Sequence, residues 1–242
     1  MGAFVLTLFL LSLFIVKGPL KWALLAATIL SILLSWGKNF MGFTDFFLDY
    51  VPMYDKFRTV ASILVIAEFT IPLLAMLGLR QMVEHPECLQ GKGRYMPRIH
   101  YLTISFCLTG GISLLFWLMP DVFFGEYMSQ ADLHYMSQYV QAGYIPQEMM
   151  GQILSNMSEM RRAIFTADAM RSFIVVAVGT LVVLAWRYGK IKAVPMVACL
   201  IVLCLCDMWG INKRYLNDDM FVAPRSEAQS FQPSQADTSI LQ

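Results

Sequence analysis

Six apolar runs punctuate this 242-residue chain and constrain its fold more than any other feature: residues 3–16, 22–36, 59–79, 99–119, 173–186 and 193–209. A helix crossing the hydrocarbon core of a bilayer needs about 20 residues, with a range of about 17–25. Runs 59–79 and 99–119 meet that length. The first, second and fifth are short and must borrow flanking residues, with Lys17, Lys21 and Arg187 reaching up to the interface. Hydrophobic residues make up 57% of the chain and charged residues 14%, where soluble domains carry roughly 25% charge. The predicted class is therefore all-α: a polytopic transmembrane helical bundle of about six spans. A net charge of +1 offers no attraction for nucleic acid. The first run lacks the basic leader and small-residue cleavage site of a signal peptide.

Lysine and arginine are unevenly shared between the connections. Segments 17–21, 80–98 and 187–192 carry nine bases and two acids, Glu84 and Glu87. Segments 37–58, 120–172 and 210–242 carry nine bases spread among thirteen acids. Basic short loops stay cytoplasmic, so the longer, mixed segments are expected outside. Connection 120–172 is too long to be a simple turn. Met149, Ile153, Met157, Met160 and Ile164 form one apolar stripe at helical spacing. Gly143 and Pro146 separate it from an earlier stretch, 126–142. Two amphipathic extracytoplasmic helices are expected here. Residues 1–216 form the transmembrane region. The polar tail 217–242 reads as a linker toward a further extracytoplasmic domain missing from this chain.

Between the second and third runs, segment 36–58 interleaves aromatic rings with three acids (Asp45, Asp49, Asp55) and three bases (Lys38, Lys56, Arg58). Phe43, Phe46, Phe47 and Tyr50 share one helical face. Thr44 is a candidate cap and Pro52 a stop. Asp45 and Asp49 are helical neighbours. That spacing suits a general base or a divalent metal ion as well as a plain solvated acidic face. Lys56 and Arg58 fall at headgroup level, where they either grip a phosphate or anchor a helix end.

Glu68 lies inside the third run. A carboxylate there is costly, and it either serves function or satisfies backbone groups freed by Pro72. In the stretch from Arg161 to Arg171, Arg171 faces inward and needs a partner: Asp168 three positions earlier, or a ligand phosphate. A structural ion pair where the chain bends into the fifth span explains the same residues. The five cysteines have no metal or disulfide spacing, and the three histidines are scattered. Gly91-Lys-Gly93 lacks the strand and helix of a phosphate loop.

The runs SWGKNF and FTDFFLDYVPMYDKFRTVASILVIAEFTIPLLA, with RRAIFTADAMRS and NKRYLNDDMFV, resemble the YfhO family of bacterial membrane proteins. The resemblance covers nearly the whole chain, as an internal portion of a longer protein. It implies a GT-C-like glycosyltransferase in the bacterial cytoplasmic (inner) membrane. Such an enzyme moves a sugar from a polyprenyl-phosphate carrier to a cell-envelope acceptor on the extracytoplasmic side. It implies that Lys56 and Arg58 meet the carrier phosphate and that Tyr54 and Asp55 shape that pocket. GT-C enzymes place their catalytic acid in the first extracytoplasmic loop, which an internal fragment would lack. The rival readings are a transporter or flippase of lipid-linked envelope material, in which Glu68 and Asp168–Arg171 line a path, and a non-catalytic membrane scaffold.

Overall fold

A computed structural model describes residues 2–51, 60–90, 99–125, 127–217 and 220–221. The described residues form helices and the turns between them. In chain order these are α1 (Ala3–Ile15), α2 (Leu20–Ser35), α3 (Met41–Tyr50), α4 (Leu64–Glu84), α5 (His100–Phe106), α6 (Ile112–Leu118), α7 (Pro120–Phe123), α8 (Gln130–Gln141), α9 (Gln147–Arg187) and α10 (Ala193–Tyr215). Helices α5 and α6 are one apolar rod, joined by a π-turn at Cys107–Gly111.

Among the described residues, four helices are long and apolar enough to cross a membrane: Ala61–Glu84, His100–Leu118, Gln147–Arg187 and Ala193–Tyr215. A fifth is added if α2 and the helix 37–50, bent by 104° from it, count as one broken span. This is the build of a multi-pass membrane protein, with four or five such helices against the expected six. Helix α1 has 13 residues and falls short on its own.

That short helix nevertheless sits at the centre. It packs against α4, α5, α9 and α10, and Phe4, Thr7, Leu11 and Ser12 are almost wholly buried. Two glycines let the neighbours approach it. A Cβ on Gly78 of α4 would collide with Ser12, and one on Gly179 of α9 would enter the Phe4 ring. Buried hydroxyls join the helices where apolar surface alone gives no preference inside a bilayer. Thr7 and Thr109 lie 2.9 Å apart, tying α1 to the π-turn, and Thr28 and Thr70 lie 2.7 Å apart, tying α2 to α4. Outward, Val65, Phe69, Leu181, Val194 and Leu205 are exposed, as lipid-facing side chains should be.

Among the described residues, Lys17 and Arg187 gather at one end beside Glu87 and Cys88. Burial pushes the Cys88 thiol up and Glu87 adds to this, while Lys17 and Arg187 oppose it. Those residues come from three different parts of the chain, and they mark the basic end. The opposite, far end holds the start of α1, the α2–α3 bend and the outer parts of α9 and α10.

Two expectations need correction. Thr44 does not cap α3. The helix begins at Met41, and the Thr44 hydroxyl donates back to the carbonyls of Gly37 and Phe40. The second amphipathic helix of connection 120–172 is not separate from the fifth span. Residues 147–187 form one 41-residue helix with no elbow near Arg161–Arg171, about 60 Å long. No proline falls between Pro146 and Pro195 to break it.

Candidate functional site

The far end of α9 is a hub of arginine–carboxylate pairs. Arg161 donates from Nη1 to Asp132 Oδ2 at 2.7 Å and from Nη2 to Asp132 Oδ1 at 3.1 Å. Arg162 donates from Nε and Nη2 to the two oxygens of Asp121, at 2.7 and 2.6 Å. Planar forks of this kind hold a carboxylate in a defined orientation. They strap α8 and α7 onto α9. Asp132 is fixed further by a reciprocal cap: Ser129 Oγ accepts from the Asp132 amide, and Asp132 accepts from the Ser129 amide and hydroxyl. The Arg161 guanidinium first, then the Ser129 donors, hold the Asp132 carboxyl well below the usual carboxylate range. Arg162 does the same for Asp121.

The turn between α7 and α8 is over-determined. Tyr127 has φ +52°, uncommon for a residue with a side chain. Its hydroxyl donates to the Pro120 carbonyl at 2.9 Å, and its own carbonyl accepts from Arg161 at 3.0 Å. The Phe165 ring of α9 lies within 6 Å of Phe116, Phe124 and Tyr127, centroid to centroid. Aromatic packing and ion pairs together fix the far-end platform.

Deeper along α9, pairing runs to α10. Arg214 Nη1 donates to Asp168 Oδ1 at 2.7 Å. Arg171 Nε lies 3.7 Å from Asp207 Oδ1. The expected Asp168–Arg171 pair is thus replaced by two cross-helix pairs. Residues three apart on one helix are neighbours, but here each meets a partner on the antiparallel α10. Asp207 is fully buried in its side chain, and its Oδ2 accepts the Ala3 amide at 2.9 Å. A carboxylate at the N-terminus of α1 answers the partial positive charge there. The pairing is incomplete: Arg171 Nε and Nη1 and Asp207 Oδ1 are buried without a hydrogen-bond partner. Buried polar atoms are normally satisfied, and a guanidinium with two open donors can donate to an oxyanion.

The first-loop candidates lie elsewhere. Gly37, at φ +47°, turns the chain out of α2, and α3 follows with stacked rings from Phe40 through Phe43 to Phe47. Lys38, Asp45 and Asp49 are exposed and have no ion pair among the described residues. Tyr54, Asp55, Lys56 and Arg58 lie outside the described residues. Glu68 is exposed on α4, one turn before Pro72. No hydrogen bond joins it to the backbone that Pro72 frees. No group of three or more His, Cys, Asp or Glu side chains able to hold a metal occurs among the described residues.

Asp121, Asp132, Asp207 and Arg214 belong to this hub but were not among the sequence candidates. Asp207 carried a usable signal, being an acid inside an apolar run, as Glu68 is. The comparisons add no relative: no family model, curated protein or solved structure matches the chain.

Proposed function

We propose that this chain is part of a GT-C-like membrane glycosyltransferase of the bacterial cytoplasmic membrane, with six membrane-crossing or membrane-buried helices. It moves a sugar from a polyprenyl-phosphate carrier to a cell-envelope acceptor on the extracytoplasmic face. The observation that carries this reading is Arg171, a guanidinium at the far end of an apolar bundle with two buried, unsatisfied donors. A carrier phosphate that reaches in below the headgroups would complete that hydrogen bonding. Arg171 stabilises negative charge on the departing phosphate, a role the family resemblance also gives to Lys56 and Arg58. An external carboxylate, from Asp45, Asp49 or Asp55 or from outside this chain, takes the acceptor hydroxyl proton. The acceptor oxygen then bonds to the sugar's anomeric carbon as the bond to phosphate oxygen breaks.

The test is turnover of the intact protein with a polyprenyl-phosphate sugar. Removing a donor that stabilises developing charge typically costs about 10²–10³ in rate. Arg171→Ala, and Lys56→Ala with Arg58→Ala, should each lose transfer on that scale while the protein remains folded. Unchanged turnover ends the phosphate role. The flippase reading draws on one observation, an apolar groove of about 320 Å³ between α1, α4 and α10, lined by Pro72, Met76 and Leu205. Glu68 lies one turn beyond it on α4. Movement of labelled carrier across vesicles without sugar transfer would establish that alternative.

A further inference from the structure

A second groove, of about 630 Å³, lies between α6 and α9, within the range of small-molecule sites, about 300–1,000 Å³. Trp117 forms one wall. Glu159, Arg162, Thr166, Ala167 and Met170 line the other, at helical spacing along one face of α9. Its chemistry differs from that around Arg171. Arg162 has committed Nε and Nη2 to Asp121, so its charge is neutralised and Nη1 is left as a donor. Glu159 has no ion-pair partner among the described residues and brings two acceptor oxygens. Thr166 gives its proton to the Arg162 carbonyl at 2.8 Å and keeps its lone pairs.

The groove thus offers mixed donors and acceptors beside an indole ring, with no net positive charge. An oxyanion gains nothing there; a ring of hydroxyls does, because a carboxylate accepts from neighbouring hydroxyls and a guanidinium nitrogen donates to one. Its polarity also changes along α9. Counting from Arg187 at the basic end, Met170 lies about 25 Å away and Arg162 about 37 Å away. The hydrocarbon core is about 30 Å thick, so Met170 falls inside it and Arg162 at headgroup level. The pocket is graded like an amphiphile.

We propose that this groove binds the uncharged sugar head of a membrane glycolipid. A pyranose face lies on Trp117, the hydroxyls meet Glu159 and Arg162, and the lipid tail runs over Ala167 and Met170. As the acceptor end of sugar transfer this rests on the reading above; as a binding site it rests on the groove alone.

The experiment uses the chain in phosphatidylcholine nanodiscs. It compares three photoactivatable probes with one common alkyl tail: a glucoside, a phosphocholine and a trimethylammonium. The glucoside should label peptides from 112–118 and 159–170 preferentially. Trp117→Ala and Glu159→Ala should each reduce that labelling at least tenfold, and Trp117→Phe should retain it. Glu159 is exposed, so its variant is expected to fold. Equal labelling by all probes, preference for either control, or labelling that survives both alanine variants overturns the proposal. Labelling by the glucoside in a full-length protein that transfers no sugar overturns the transferase reading and leaves the groove standing. Transfer without labelling does the reverse.

Discussion

Asp207 links three helices with one side chain. Its Oδ2 caps α1 through the Ala3 amide, and its Oδ1 faces Arg171 of α9, while its own backbone belongs to α10. Removing one member of a buried pair leaves the other uncompensated, at a cost of about 3–5 kcal/mol. Asp207→Ala should lower thermal stability in nanodiscs on that scale. Asp207→Asn keeps an acceptor for Ala3 and should cost less. Equal stability of Asp207→Ala and wild type would show that the pair contributes nothing. Residue type marked Glu68 as costly and could have marked Asp207 in the same way, but it did not tell that Asp207 is buried and Glu68 exposed. Helix rotation decides that, and rotation is set by packing against helices far away in sequence. The same reason hid the pairing of Asp168 with Arg214.

At the level of elements, α7 and α8 stay on α9 through carboxylates whose charged forms are favoured by folding. The sign follows directly. Folded carboxyl values of Asp121 and Asp132 are depressed, so their contribution is full above the unfolded value of about 3.9 and is lost as pH falls toward the folded values. Amides of α8 should lose protection below about pH 4 in hydrogen exchange corrected for intrinsic rates, while those of α4 stay protected. Arg161→Gln should give the low-pH pattern of α8 at neutral pH. Protection that ignores both changes would mean the strap is not electrostatic. The stripe from Met149 to Ile164 was legible as helix, and so was the fifth apolar run. Their fusion was legible too, since no proline separates them, but the charges at Arg161–Arg171 suggested a bend. Those charges are paired sideways to α7, α8 and α10, and the helix runs on undisturbed.

For the whole molecule, apolar runs mark most of the architecture: each run became a helix among the described residues, and described residues of the three basic connections lie together at one end. Single cysteines at Tyr144 and Lys190, in a background lacking the native cysteines, test the orientation. An impermeant thiol reagent should label position 144 in intact cells and position 190 only after permeabilisation. The reverse pattern would invert the topology. Run length did not reveal that one of the two shortest runs would be the most enclosed. A span that faces lipid must satisfy the bilayer alone, whereas α1 is surrounded by other helices and is relieved of that demand.

This enclosure has a consequence for how the protein is made. A 13-residue segment is a weak client for insertion, and its own capping acid is synthesised 204 residues later. Contacts so distant in sequence form late and slowly. Helix α1 leaves the ribosome before the helices that enclose it and is therefore held in waiting until α10 arrives, and the arrival of Asp207 closes the bundle around it like a keystone set last.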